Sequence, residues 1–369
     1  MKVLKVILPL FIAISLLAIS VGISEGSPFS SSSVGLTSST IAVQTELPSP
    51  ISTDVHKEWV DGGLVAENNL SQPEPAVISE LPIPNDPYID RQWALNQIRM
   101  PELWQITTGS PEILVAVLDT GIDQSHVDLE GKVVAEINLT GSPTPSDIHG
   151  HGTHVAGIIA ASSNNGIGIA GVAPQCRLMN VKVADDRGKC QATALAEGII
   201  WAVDNGASVI NISVEIKEPS PELVDAVDYA WNKGVIIIAA AGNEGNDSPI
   251  YPAYYENSLA VASIKENDTF APLSNYGEWV DVAAPGFKIY STLPDDSYDY
   301  KTGTSFATPY VSGLAALLFN VVTDTNGDGW LNDEVRAAIE AGCQEIGIDG
   351  VGSGQIDAAN SLAKAGYTS

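Results

Sequence analysis

From about Pro84 onward the chain alternates short runs of β-branched and apolar residues with longer stretches whose apolar residues recur at helical spacing. Ile113–Leu118, Leu178–Val183, Val209–Ser213, Val235–Ala241 and Leu259–Ser263 read as strands. These runs are nearly all apolar rather than alternating, which is the pattern of strands covered on both faces. Between them Ala192–Asn205 and Pro221–Lys233 read as helices, each stopped by a glycine, Gly206 and Gly234. Neighbouring parallel strands need a crossover, and helical crossovers cover both faces of a sheet. The expected fold is therefore α/β, a doubly wound, mostly parallel sheet with helices on both faces. His151–Ala161, Ser305–Phe319 and Asn332–Glu340 add helical stretches, Gln355–Ala363 closes the domain, and no internal repeat is present.

The residues before this domain have a different composition. Lys2 and Lys5 precede an uncharged run from Val6 to Ile23, so residues 1–25 read as a secretory signal peptide or an uncleaved N-terminal anchor. Residues 26–83 are rich in Ser, Pro and Thr with weak apolar periodicity, and read as a pro-segment or linker. The domain proper is expected over 84–369. Its protein is expected outside the cell, or held at the cell surface if the anchor stays. With 17 basic and 45 acidic residues the net charge is −28, which argues against nucleic acid as a partner. Three cysteines, Cys176, Cys190 and Cys343, are too few for a disulfide framework.

Three segments carry an acid, a base and a hydroxyl nucleophile. They are Val117-Leu118-Asp119-Thr120-Gly121, His151-Gly152-Thr153-His154-Val155-Ala156-Gly157 and Gly303-Thr304-Ser305-Phe306-Ala307-Thr308-Pro309. A serine hydroxyl is a weak nucleophile until an oriented imidazole takes its proton, so the three types belong together in acyl transfer. Asp119 follows a strand, where functional groups of α/β sheets collect. Ser305 opens a helix, where free N–H groups and the dipole favour developing negative charge. His149, His151 and His154 are all available as bases. A zinc site is disfavoured, because the spacing is not His-Glu-x-x-His and no glutamate lies between. Gly-Thr-Ser-Phe-Ala is also not the Gly-x-Ser-x-Gly elbow of α/β-hydrolases.

The order Asp, His, Ser and the residues around each make the chain resemble the subtilisin family of serine endopeptidases, the subtilases, and its thermitase branch in particular. Tyr251-Pro252-Ala253-Tyr254-Tyr255 and Trp279-Val280-Asp281-Val282-Ala283-Ala284-Pro285-Gly286 extend the likeness. The resemblance implies hydrolysis of polypeptides through an acyl-enzyme on Ser305, with His151 as base and Asp119 orienting it. It implies Asn243, in Ala239-Ala240-Ala241-Gly242-Asn243, as the amide that holds the oxyanion, and His154 as structural. Substrate is expected to bind as an added strand between Gly188-Lys189-Cys190 and Ser213-Val214-Glu215, against Ala240, Ala241 and Gly242. Cys190 and Glu215 replace residues that are usually glycine, Phe306 stands where methionine is usual, crowding the leaving-group side, and Tyr310 where histidine is. The compact pro-domain common among relatives is not evident.

The resemblance also implies structural calcium and no catalytic cofactor. Asp86, Asp128 and Asn165, with carbonyls near Ile167 and Ile169, match the family's tight site, as suits a hard cation taking six to eight oxygens. An acidic loop that relatives carry before the catalytic histidine is missing, since only Asp147 remains there, and that site is expected to be lost. Separately, Asp324-Thr325-Asn326-Gly327-Asp328-Gly329-Trp330 follows the start of an EF-hand-type loop, with Asp324, Asn326, Asp328 and the Trp330 carbonyl as ligands. Val335 stands where the bidentate acid belongs, so Asp333 or Glu334 has to substitute. The protein is expected to be monomeric, with polypeptides as partners. Two other functions remain open from the residues alone: a ligase or cyclase that intercepts the acyl-enzyme with an amine, and a non-catalytic calcium-dependent binding protein.

Overall fold

The computed structural model describes residues 83–367, so the expected signal and pro-segment lie outside the described residues. Seven strands form one parallel sheet: β1 (Leu114–Asp119), β2 (Val133–Asn138), β3 (Arg177–Lys182), β4 (Val209–Ile212), β5 (Ile236–Ala240), β6 (Ser258–Ile264) and β7 (Val282–Pro285). Their spatial order is β2-β3-β1-β4-β5-β6-β7. An antiparallel hairpin follows, β8 (Ile289–Leu293) with β9 (Ser297–Lys301). The helices are α1 (Trp93–Gln97), α2 (Met100–Trp104), α3 (His151–Ala160), α4 (Ala192–Asp204), α5 (Pro221–Trp231), α6 (Thr304–Leu318), α7 (Asn332–Gly342) and α8 (Ala358–Lys364).

Successive residues of β1 point to opposite faces, as a pleated strand requires. Val115 and Val117 pack with residues of α3 and α6, whereas Ala116 and Leu118 pack with residues of α4 and α5. That double coverage is why the strands read as unbroken apolar runs. Every residue of α6 is buried, as a helix apolar all round requires.

From β1 the chain goes to the edge strand β2, returns to β3 between them, then crosses over to place β4 on the other side of β1. The switch point of the sheet therefore lies between β1 and β4, and ligands bind beyond the carboxyl ends of strands at such a point. Sequence patterning did not pick out β2, which is a half-exposed edge strand, or the hairpin, whose β8 is buried and whose β9 is half-exposed. In the closing segment Gln355 bridges Ala283 and Gln344, and α8 starts at Ala358, where Asp357 accepts from the Asn360 N–H.

Candidate active site

Asp119 is the last residue of β1, not the first beyond it, and it is fully buried. Its Oδ1 accepts from the Thr120 N–H at 2.7 Å and lies 2.7 Å from His151 Nδ1. An ionised carboxylate can only accept, so Nδ1 carries the proton and Nε2 is left as the free base. His151 is the first residue of α3. Glycine at 152 lets the helix start come this close, because a Cβ there would sit 2.1 Å from the Gly121 carbonyl and 3.0 Å from Asp119 Cβ.

Asp147 locks this arrangement. Its Oδ1 accepts from the His149 and Gly150 N–H groups and from Thr120 Oγ1, and its Oδ2 accepts from the Thr153 N–H and hydroxyl. Thr120 Oγ1 in turn accepts from the Gly152 N–H at 3.0 Å. The fully buried Lys182 donates to the Thr120 carbonyl at 2.6 Å, the Ser146 carbonyl at 3.1 Å and Asp186 at 2.7 Å. The Asp147 carboxylate thus joins the end of β1 to the start of α3, and the Lys182 ammonium ties the end of β1 to the loops at Ser146 and Asp186. Sequence reading missed both roles, although an aspartate just ahead of a helix is a capping signal.

The three histidines have different surroundings. Burial alone would push the His151 imidazole down, but the charge and hydrogen bond of Asp119 more than offset it, so its pKa is raised. His154 is fully buried, its Nε2 3.1 Å from the Asp299 carbonyl, and burial lowers its pKa to about 3. It stays neutral. His149 is exposed. Phe306 is buried against both inner rings, with centroid distances of 5.1 Å to His151 and 4.7 Å to His154. It packs against His151 and His154 from the core.

Ser305 lies in the first turn of α6, where helical N–H groups lack helical partners. Its hydroxyl donates to the Ser213 carbonyl at 3.1 Å, and the Ser213 hydroxyl donates to the Ser305 carbonyl at 2.9 Å. Ser213 directly follows β4, across the switch point from Asp119. The Asn243 amide is fixed at both ends. Its Oδ1 accepts from the Thr304 N–H, and its Nδ2 donates to Glu215 Oε1, each at 2.9 Å. Gly303, at φ 152°, brings the loop before α6 this close, since a Cβ there would lie 3.1 Å from Asn243 Oδ1.

Beside these groups runs a cleft of about 320 Å³. His151 lines it with His149, Arg187, Gly188, Cys190, Ser213, Val214 and Glu215. Four expected members, Lys189, Ala240, Ala241 and Gly242, stand apart from that lining. Lys189 lines a neighbouring cavity with Asp185 and Glu197, and Ala240 and Ala241 are buried at the end of β5. Gly242, next in the chain, donates its N–H to Thr304 Oγ1 at 3.2 Å. All three cysteines are free. Burial pushes the Cys190 thiol up to about 12, so it remains protonated and offers no rival nucleophile.

A model described as "Subtilase family" matches residues 110–351. The chain belongs to the subtilase family. It is 46% identical over 265 residues to thermitase of Thermoactinomyces vulgaris, covering 71% of this chain and 92% of that protein. It is 39% identical over 267 residues to subtilisin BL of Lederbergia lenta, covering 72% and 96%. Among solved structures, proteases from Pseudoalteromonas arctica superpose with a TM-score of 0.70 at 31% identity, covering 76% of this chain and 99% of that one. This subtilase is a subtilisin-like serine endopeptidase.

The expected calcium residues fall in two places. In the first, Asp86 and Asp128 are buried against the loop 164–169. Asp86 accepts from the Asn164 and Asn165 N–H groups, and Asp128 from Asn165 Nδ2, the Ile169 N–H and Tyr298. Burial pushes the Asp128 carboxyl up. In the second, Asp324 accepts from the Gly327 and Gly329 N–H groups, and Asp328 from that of Trp330. Asn326 Nδ2 donates to Asp333, and Thr325 donates to Glu334, so both acids reach this loop, whereas Val335 is buried. Among the described residues no three His, Cys, Asp or Glu side chains gather as a metal cluster, so any calcium would lean on amide and carbonyl oxygens.

Proposed function

We propose that this subtilase hydrolyses polypeptides through an acyl-enzyme on Ser305, with His151 as general base, Asp119 as its orienting acid and Asn243 as oxyanion donor. The observation that carries the reading is the 2.7 Å contact between His151 Nδ1 and Asp119 Oδ1, which leaves Nε2 free toward the cleft that Ser213 also lines. In the resting chain the Ser305 proton points to the Ser213 carbonyl. Rotation about Cα–Cβ turns it to His151 Nε2 as substrate enters, a tightening common to hydrolases. Oγ then attacks the peptide carbonyl carbon, and the oxyanion meets Asn243 Nδ2 and the Ser305 N–H. His151 returns the proton to the leaving amine, water takes the amine's place, and the same base activates it.

His151 must be neutral to act. Its raised pKa means that activity is full above that value and is lost as pH falls through it. A pH series of kcat/KM on an unstructured peptide should therefore show an acid limb above the ordinary imidazole value of about 6.5. A limb well below that value, or no limb between about pH 5 and 8, would contradict this assignment of the base.

Calcium fits the first of the two sites. Asp86 and Asp128 are buried carboxylates and neither forms an ion pair among the described residues, so a bound divalent cation would supply the missing positive charge. Asn165 and the carbonyls of Ile167 and Ile169 would complete the oxygens. Asp324, Asn326, Asp328 and the Trp330 carbonyl, with Asp333 or Glu334, would form a second and more exposed site. Chelation is expected to lower Tm by about 5–10 °C. Asp128→Asn should start lower and lose most of that response. An unchanged response in Asp128→Asn would exclude the first site, and one in Asp328→Ala would exclude the second. The peptidase domain starts near residue 84, behind an export segment and a pro-segment, and it acts outside the cell as a monomer.

A further inference from the structure

We propose that Glu215 makes this subtilase selective for a lysine or arginine side chain on the residue that bears the scissile carbonyl. This rests on the roles given above to Ser305 and Asn243. Glu215 lies two residues beyond Ser213, whose carbonyl accepts from the Ser305 hydroxyl at 3.1 Å, and it lines the same cleft as His151. Its Oε1 accepts from Asn243 Nδ2 at 2.9 Å. That amide marks where the carbonyl oxygen sits during the reaction. The leaving amine departs on the His151 side, because it takes its proton from there. The group left on the carbonyl carbon is the acyl residue, whose side chain therefore starts within reach of Glu215.

No ion pair compensates the charge of Glu215, and Lys217 acts on it only from beyond ion-pair distance. Among the described residues no cationic side chain is within ion-pair distance of it. Lys217 is committed to Glu244 at 2.9 Å, and Glu244 adds a second negative charge beside Glu215. Of the other charged or titratable groups in the cleft, Arg187 forms no ion pair with it, and His149 and His151 are imidazoles. Burial by a bound peptide desolvates the carboxylate further, and the oxyanion brings a second negative charge to the Asn243 amide that Glu215 already holds. A cationic side chain on the substrate relieves both costs, whereas an aliphatic one relieves neither and an acidic one adds repulsion. Where relatives usually carry glycine, this chain carries its own counter-charge for the substrate.

The test uses peptides identical except at the residue bearing the scissile carbonyl, which is lysine, arginine, norleucine or glutamate. A second series varies only the residue after the scissile bond. Wild type is expected to prefer lysine over norleucine by about tenfold or more in kcat/KM near pH 8. Glu215→Gln, almost the same shape, should bring that ratio close to one, and Glu215→Lys should turn the preference toward glutamate. The inference is overturned if Glu215→Gln keeps the lysine ratio, if wild type shows no cationic preference, or if the preference falls on the residue after the bond. Failure of the peptidase reading looks different, since wild type would then cleave no peptide in either series.

Discussion

Ser305→Ala is expected to abolish casein hydrolysis, with kcat lower by about 10⁶-fold, the magnitude established in subtilisin, a relative of this chain. The Ser213 hydroxyl, hydrogen-bonded to the Ser305 backbone, cannot replace the nucleophile, and the Cys190 thiol stays protonated. Nucleophile and base act as one unit, so His151→Ala should cost about as much, and the double variant should be no slower than either single one. A Ser305→Ala variant within about a hundredfold of wild type would mean that the acyl group is carried elsewhere. Circular dichroism and Tm should be nearly unchanged, because the removed oxygen contributes one hydrogen bond to a carbonyl.

The second large effect belongs to Asp119→Asn, for which a fall of about 10⁴-fold in kcat is expected, a figure taken from a protease of a different fold with the same three groups. An asparagine keeps the shape of the site but lets its amide donate toward His151, favouring the tautomer whose Nε2 bears the proton. With the carboxylate gone, the largest effects opposing the burial that pushes the imidazole down are lost and only the weaker pull of Asp147 remains, so the acid limb of the pH profile should move to lower pH. A purely structural role for Asp119 would lower Tm and leave that limb in place. A kcat within about tenfold of wild type would show that His151 needs no orienting carboxylate.

How much of this could be seen in the sequence depended on how local the signal was. The buried strands were legible because double coverage leaves no polar positions in Ile236–Ala240 or Leu114–Leu118. The proposed serine, histidine and aspartate stood out because each is embedded in small residues that the close approach of β1, α3 and α6 demands, as at Gly152. Edge strand β2 and β9 were not, since half-exposed patterns over six or five residues resemble any polar loop, and β8, though buried, carries Ser291 and Thr292 within a run of only five residues. The roles of Asp147 and Lys182 were hidden for another reason. Both act on Thr120, 27 and 62 residues away in the chain, and only the fold brings them together. Glu215 was visible as a departure from glycine, but its bond to Asn243 was not.

The most direct test of the account is covalent labelling with a fluorophosphonate, followed by intact mass measurement and peptide mapping. One adduct per chain is predicted, on Ser305, absent in Ser305→Ala and formed far more slowly in Asp119→Asn. An adduct on another residue, or continued hydrolysis of casein by a chain that takes up no label at Ser305, would contradict it.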